Sequence, residues 1–174
     1  MIGSEERQEK ILTVVVDDVE VSQYRKNGAR TETGHSLEEH QATCDFTINS
    51  IAMDINEKII DKHNGESDLK DKLIRFVGKP ADRIEEDFLR LLRGIRFGAK
   101  YKFKLENDTA MSIELCAYKI KELPQERVRD ELLKILAYPK GIDYLLFYGF
   151  IEIIVTTEKS EVDKIFEKLK GLLK

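Results

Sequence analysis

The strongest constraint in this chain is a change of hydrophobic period at Pro80. Downstream, Ile84, Phe88, Leu91, Leu92 and Ile95 recur at helical spacing and predict one long helix over 81–100. "NDTAMSIELCAYKI" predicts a second helix with Asn107 or Asp108 as its cap, and "PQERVRDELLKILAY" a third with Pro124 in its first turn. "GIDYLLFYGFIEII" and "EVDKIFEKLKGLLK" predict two more. Upstream the pattern is shorter and mixed. "ILTVVVDDVEVSQYR" sets two β-branched runs around Asp17 and Asp18, which predicts a hairpin. Alternation puts Glu20, Ser22 and Tyr24 on one face of its second strand. After the polar "KNGARTETGH", Ser36 and Glu39 hold the two positions of a capping box. "DFTINSIAMDINEKIID" predicts a helical turn and then a hairpin turning at Asn56 and Glu57. "SDLKDKLIRFVG" predicts a short capped helix followed by a strand. The fold class is α+β: a β-containing part over 1–78, an all-helical part over 79–138, and a helical extension over 139–174.

Composition narrows the function classes. The 174 residues are 41% apolar and 36% charged, the balance of a water-soluble globular chain. No apolar run is long enough to span a bilayer, and "MIGSEERQEK" has no hydrophobic signal region, so the expected place is the cytoplasm, with no membrane partner. Cys44 and Cys116 lie 72 positions apart and, with three scattered histidines, make neither a zinc spacing nor a disulfide framework. The net charge of −4 argues against gripping nucleic acid over the whole surface, while 29 Lys and Arg leave room for a local basic face.

Three stretches carry a resemblance. They are "SLEEHQATCDFTINSIAMD", the run from "IIDKHNGESDLKDK" to "EEDFLRLLRGIRFGAKYKF", and "LPQERVRDELLKIL". In order and register they resemble the class II CCA-adding tRNA nucleotidyltransferases and their bacterial poly(A) polymerase relatives, over roughly residues 11–138. The resemblance implies a partial nucleotidyltransferase head of the polymerase-β-like kind, then a helical neck that selects nucleotides, then the start of a body domain. It implies addition of C and A nucleotides to tRNA 3′ ends, with ATP and CTP as substrates and Mg²⁺ as cofactor. The product could be CCA, CC, A alone or poly(A), since one selector serves them all.

The stretch "RIEEDFLRLLRGIRF" holds the candidate selector. Taken alone, Glu86 and Arg90 are an i,i+4 surface pair contributing a few tenths of a kcal/mol. Asp87 and Arg90, three positions apart, would share a helical face. An ionised Asp only accepts hydrogen bonds and an Arg only donates. Acceptor beside donor matches the amino group beside a ring nitrogen on the pairing edges of cytosine and adenine. Uracil and guanine present a carbonyl beside a ring N–H, so both contacts fail together, and unpaired polar groups make such discrimination large. The family's Glu-Asp-x-x-Arg motif is matched at Glu86, Asp87 and Arg90, which assigns base reading to Asp87 and Arg90 and support of the guanidinium to Glu86. Arg93 and Arg96 are candidates for phosphate or RNA contact, with solvation of the helix surface the equal alternative. Asp45 and Asn49 match the family's Asp-Phe-Thr-Ile-Asn turn at the nucleotide sugar; without it they read as a cap and a local hydrogen bond. Glu126 and Arg129 fall on the helix expected to brace the neck.

The catalytic carboxylates are less complete. The family's Gly-rich turn and Asp-x-Asp metal ligands have no clear counterpart, although nucleotidyl transfer uses divalent ions held by carboxylates. "IGS" followed by "DVEV" imitates that signature, with Asp18 and Glu20 as metal ligands on one strand face; the preferred reading puts Asp18 in a turn and Glu20 on the strand of an accessory carboxylate. Thr43 and Cys44 stand where the family has two arginines, His40 replaces an acid and Gln41 an apolar residue. Three expectations follow: a truncated or split enzyme completed by a complementary head-domain chain, a non-catalytic nucleotide- or RNA-binding remnant, or a compact enzyme using Asp18 and Glu20. A truncated head would leave strand edges open and favour a homo-oligomer.

Overall fold

The computed structural model describes residues 13–26 and 33–157. The motif "IGS", most of the "KNGARTETGH" loop and the helix expected in "EVDKIFEKLKGLLK" lie outside the described residues. The chain divides into two compact units: the first runs to Asp71 and takes in Arg75–Lys79, and the second joins Lys72–Ile74 to everything from Pro80 on.

In the first unit, β1 (Thr13–Val16) pairs antiparallel with β2 (Val19–Ser22), Val16 opposite Val19. Asp17 and Asp18 form the two-residue turn with φ of 49° and 64°. Positive φ at both positions matches the twist of the flanking strands, and Asp tolerates that region. All eight strand residues are exposed. Helix α1 (Leu37–Thr43) starts as predicted, with Ser36 accepting the Glu39 N–H. The Glu39 carboxylate reaches the His35 N–H at 2.7 Å instead of that of Ser36.

The short α2 (Thr47–Ser50) leads into β3 (Ala52–Met53) and β4 (Ile59–Ile60), paired antiparallel. Their turn is tied by Asp54 Oδ1, which accepts from Asn56 and Lys58 N–H, with Glu57 at φ 62°. Helix α3 (Gly65–Asp71) begins two residues before the expected "SD" start, because Asp61 takes the Gly65 and Glu66 N–H groups. Gly65 is required there: a Cβ would stand 2.3 Å from the Thr47 carbonyl oxygen. Phe46 and Phe76, both sealed, stack at 5.1 Å.

In the second unit, β5 (Leu73–Ile74) pairs in parallel with β6 (Lys104–Leu105). The helix expected over 81–100 is two helices, α4 (Pro80–Glu86) and α5 (Leu89–Tyr101). Asp87 causes the break: its Oδ1 accepts the Leu89 N–H at 3.1 Å, and the Arg90 and Leu91 N–H groups bond the carbonyls of Asp87 and Phe88, three residues back. Helix α6 (Asn107–Cys116) is capped by Glu106, which accepts from Asp108 and Thr109, rather than by Asn107 or Asp108. A 3-10 segment, Ala117–Glu122, leads to α7 (Gln125–Leu136), with Pro124 at its cap position. "GIDYLLFYGFIEII" is also two helices, α8 (Gly141–Phe147) and α9 (Phe150–Thr157), because Gly149 turns the chain at φ 71°. The predicted stripe forms the core: Ile84, Leu91, Leu92 and Ile95 are fully sealed beside Ile113 and Ile135. No described helix is long and apolar enough to cross a membrane.

Candidate nucleotide-binding site

The break between α4 and α5 concentrates charge. Glu86 ends α4 and accepts from two guanidiniums, those of Arg83 and Arg90. Arg90 is only 4% exposed; its Nη1 donates to Glu86 Oε2 at 2.7 Å and to the Arg83 carbonyl at 2.6 Å. A buried guanidinium is tolerated because it is paired and hydrogen-bonded. Asp87 is not on a shared helical face with Arg90, as the spacing suggested; it sits in the break, one turn before Arg90, joined by the Arg90 N–H at 3.0 Å. Its Oδ2 receives Arg93 Nη2 at 3.3 Å, and Arg127 Nη2, from α7, lies 3.6 Å from Oδ1. The side chains thus form two clusters, Arg83–Glu86–Arg90 and Arg93–Asp87–Arg127, linked through the backbone by the Arg90 N–H on the Asp87 carbonyl.

Arg96 belongs elsewhere. Its Nε lies 2.6 Å from Oε1 of the buried Glu131 on α7, an ion pair whose N–H is not aligned as a hydrogen bond. Lys134 reaches the other oxygen of Glu131 at 3.3 Å. Arg96 also lies over the Phe97 ring, 4.9 Å from its centre. Its visible role is to tie α5 to α7. Of the two residues expected on the brace, Glu126 is exposed in the first turn of α7 and Arg129 pairs with Asp130 at 3.6 Å. Sequence reasoning missed Arg83, Arg127 and Glu131. The i,i+3 spacings of Arg83 to Glu86 and of Glu131 to Lys134 were usable signals; nothing local marked the contacts of Arg127 with Asp87 or of Glu131 with Arg96, which are distant in sequence.

In the first unit, Glu20, His40, Cys44 and Asn49 line an open hollow of about 380 Å³. Asn49 is exposed on α2, and Asp45 is half-buried, its carbonyl accepting the Val77 N–H at 3.2 Å. The cap position of α2 is Phe46, one residue after Asp45, and the Phe46 side chain makes no cap hydrogen bond. The replaced positions have structural partners: Thr43 Oγ1 donates to the His40 carbonyl, and Gln41 Nε2 donates to the Ser50 and Ile60 carbonyls at 2.7 and 2.8 Å. His40 Nδ1 accepts the Arg25 N–H at 3.2 Å. Burial, and then the Arg25 charge, hold the His40 pKa below its usual value.

Asp18 lies in the turn and not on the strand face of Glu20, which removes the paired-ligand geometry that the "DVEV" pattern suggested. Magnesium takes octahedral oxygen ligands, usually one or two carboxylates besides waters and phosphates. Among the described residues no group of three His, Cys, Asp or Glu is placed to hold a metal, and Glu20 offers one exposed carboxylate. These residues do not by themselves fit a catalytic metal pair.

The class of protein is set by comparison with known families, which covers both the small mixed first unit and the helical unit. Residues 3–75 match the family described as "Poly A polymerase head domain", and residues 102–154 match "Probable RNA and SrmB- binding site of polymerase A". The chain belongs to the CCA-adding enzyme and poly(A) polymerase family. It is 37% identical to the CCA-adding enzyme of Streptococcus gordonii over 92% of this chain and 41% of that one. Against the CCA-adding enzyme of Lactobacillus helveticus it is 42% identical over 57% of this chain and 25% of the relative. Among solved structures it resembles the Bacillus stearothermophilus CCA-adding enzyme in complex with CTP, with a TM-score of 0.75, 31% identity, and 82% and 37% of the two chains covered. It also resembles a tRNA nucleotidyltransferase complexed with a primer tRNA and an incoming ATP analog, with a TM-score of 0.67, 26% identity, and 88% and 48% covered. The chain spans about two-fifths of the length of the Streptococcus relative.

Proposed function

We propose that this chain supplies the nucleotide-selecting part of an enzyme that adds C and A nucleotides to tRNA 3′ ends, choosing CTP and ATP without a nucleic-acid template. The observation that carries this is the pairing of opposite hydrogen-bonding characters at the α4–α5 break. Asp87, an acceptor held by Arg93 and the Leu89 N–H, stands one turn from Arg90, a donor braced by Glu86. Asp87 would take the exocyclic amino group of cytosine or adenine and Arg90 would donate to the ring nitrogen. Arg93 contributes by fixing Asp87, and Asp45 and Asn49 serve the sugar side. The relatives named for CTP, ATP-analog and tRNA complexes support nucleoside triphosphates and a tRNA end as the partners.

Carboxylates for a catalytic Mg²⁺ pair would come from outside the described residues, in line with dependence on a complementary head segment. The second reading, a nucleotide- or RNA-binding protein without turnover of its own, rests on the same donor set: Glu20 alone and Asp18 in a turn. Titrating the chain with CTP, ATP, UTP and GTP tests the selector. Binding of CTP and ATP over UTP and GTP, abolished by Asp87→Ala, is expected; equal binding of all four sinks base reading. Incorporation of labelled CTP or ATP into tRNA lacking CCA, with Mg²⁺ and with or without candidate head fragments, separates the two readings.

A further inference from the structure

Resting on that base-reading proposal, we infer that Arg127 is a placeholder at Asp87, occupying the position of the base amino group until a nucleotide displaces it. The Asp87 carboxylate is already engaged on both oxygens. Oδ1 accepts the Leu89 N–H at 3.1 Å and has Arg127 Nη2 at 3.6 Å; Oδ2 receives Arg93 Nη2 at 3.3 Å. An ionised carboxylate has about four lone-pair directions, two on each oxygen; the two hydrogen bonds leave one on each, and the Arg127 guanidinium competes for the one on Oδ1. The Leu89 N–H belongs to the start of α5 and cannot leave without unwinding it. Arg93 is 16% exposed and shares α5 with Leu89, whereas the Arg127 side chain is 48% exposed and its ion pair is beyond hydrogen-bonding distance. Arg127 is therefore the partner that yields.

Selectivity follows from the same geometry. A base with an amino group displaces Arg127 and bonds Asp87. A base with a carbonyl at that position is repelled by the bare carboxylate but accepted by a guanidinium lying across it. Arg127 in place thus penalises cytosine and adenine and tolerates uracil and guanine, so its removal sharpens the choice. An exposed pair of this kind is limited to a factor of about five in an equilibrium.

The test compares CTP and UTP affinities of the wild-type chain, Arg127→Ala and Arg127→Lys by calorimetry, with thermal midpoints recorded for each. The CTP:UTP affinity ratio is expected to rise up to about fivefold in Arg127→Ala, with Arg127→Lys between it and wild type. Taking the ratio cancels any attraction of Arg127 for the triphosphate, which both nucleotides share. A ratio that falls or stays level in a folded Arg127→Ala, while wild type still prefers CTP, overturns the placeholder and leaves base reading standing. CTP binding that appears only in Arg127→Ala supports a placeholder that blocks the site in the isolated chain. Failure of every form to bind CTP overturns base reading and the placeholder with it.

Discussion

The two units are held by different means. In the helical unit, Ile84, Leu91, Leu92, Ile95, Ile113 and Ile135 are fully sealed. In the first unit, the sealed apolar side chains among the described residues are few, chiefly the stacked Phe46 and Phe76, and Val14, Val15, Val16, Val19 and Val21 of the ribbon are all more than half exposed. Order there comes from side chains bonded to the backbone or to one another. Gln41 clamps two carbonyls, Asp61 gathers three N–H groups, and Thr47 and Arg75 both donate to the buried Asp68. Apolar packing stabilises wherever volume is filled, whereas a polar clamp works only with its one partner in place. Substitution should therefore act differently in the two units.

The largest effect is expected at the centre of the helical core. Leu92→Ala opens a cavity where no solvent reaches, and should lower stability by about 2–5 kcal/mol in urea unfolding. A loss under about 1 kcal/mol would mean that this core relaxes as easily as a surface, and the contrast between the units would collapse.

Gln41→Leu inverts the test. Leucine adds hydrophobicity at a sealed position, so a core governed by packing would gain. Here the Ser50 and Ile60 carbonyls lose their donor, and the expected result is a loss of about 1–3 kcal/mol by chemical denaturation. A stabilised variant would show the clamp to be dispensable.

This difference also explains what could be read from sequence. The α+β class, the ribbon turning at Asp17 and Asp18, and the stripe from Ile84 to Ile95 follow from periodicity and turn chemistry, which are local. The break at Asp87 did not follow, because the apolar spacing runs on through it while a carboxylate takes the Leu89 N–H. The same limit hid the Glu106 cap and the Asp61 start of α3, where an acid outside the expected position captured the backbone. In the candidate site, Glu86, Asp87 and Arg90 were legible from their motif. The contacts of Arg127 with Asp87 and of Glu131 with Arg96 were not, since those partners are distant in sequence and no spacing encodes a tertiary contact.

The smallest effect, and the most specific to the first unit, concerns acid. Burial works to raise the Asp61 carboxyl, but the N–H groups of Glu66, Gly65 and His63 outweigh it and hold its pKa below the ordinary 3.8. A group whose pKa is lower folded than unfolded stabilises the fold above the unfolded value, and that stability disappears as pH falls through the folded one. Asp61→Ala should therefore cost about 1 kcal/mol near pH 7, as the loss of a helix cap, with solvent around this partly exposed carboxylate keeping it from more. Urea unfolding of both proteins from pH 7 downward should show a constant gap until about 3.8 and a narrowing one below. His40 adds a second acid-labile contribution at higher pH, since its pKa is depressed below 6.5 and its protonation would end acceptance of the Arg25 N–H. That contribution is common to wild type and variant, so it lowers both curves together and leaves the gap untouched. A gap already closing between pH 7 and 5, well above the range in which this carboxyl titrates, would show that Asp61 holds α3 by something other than its charge.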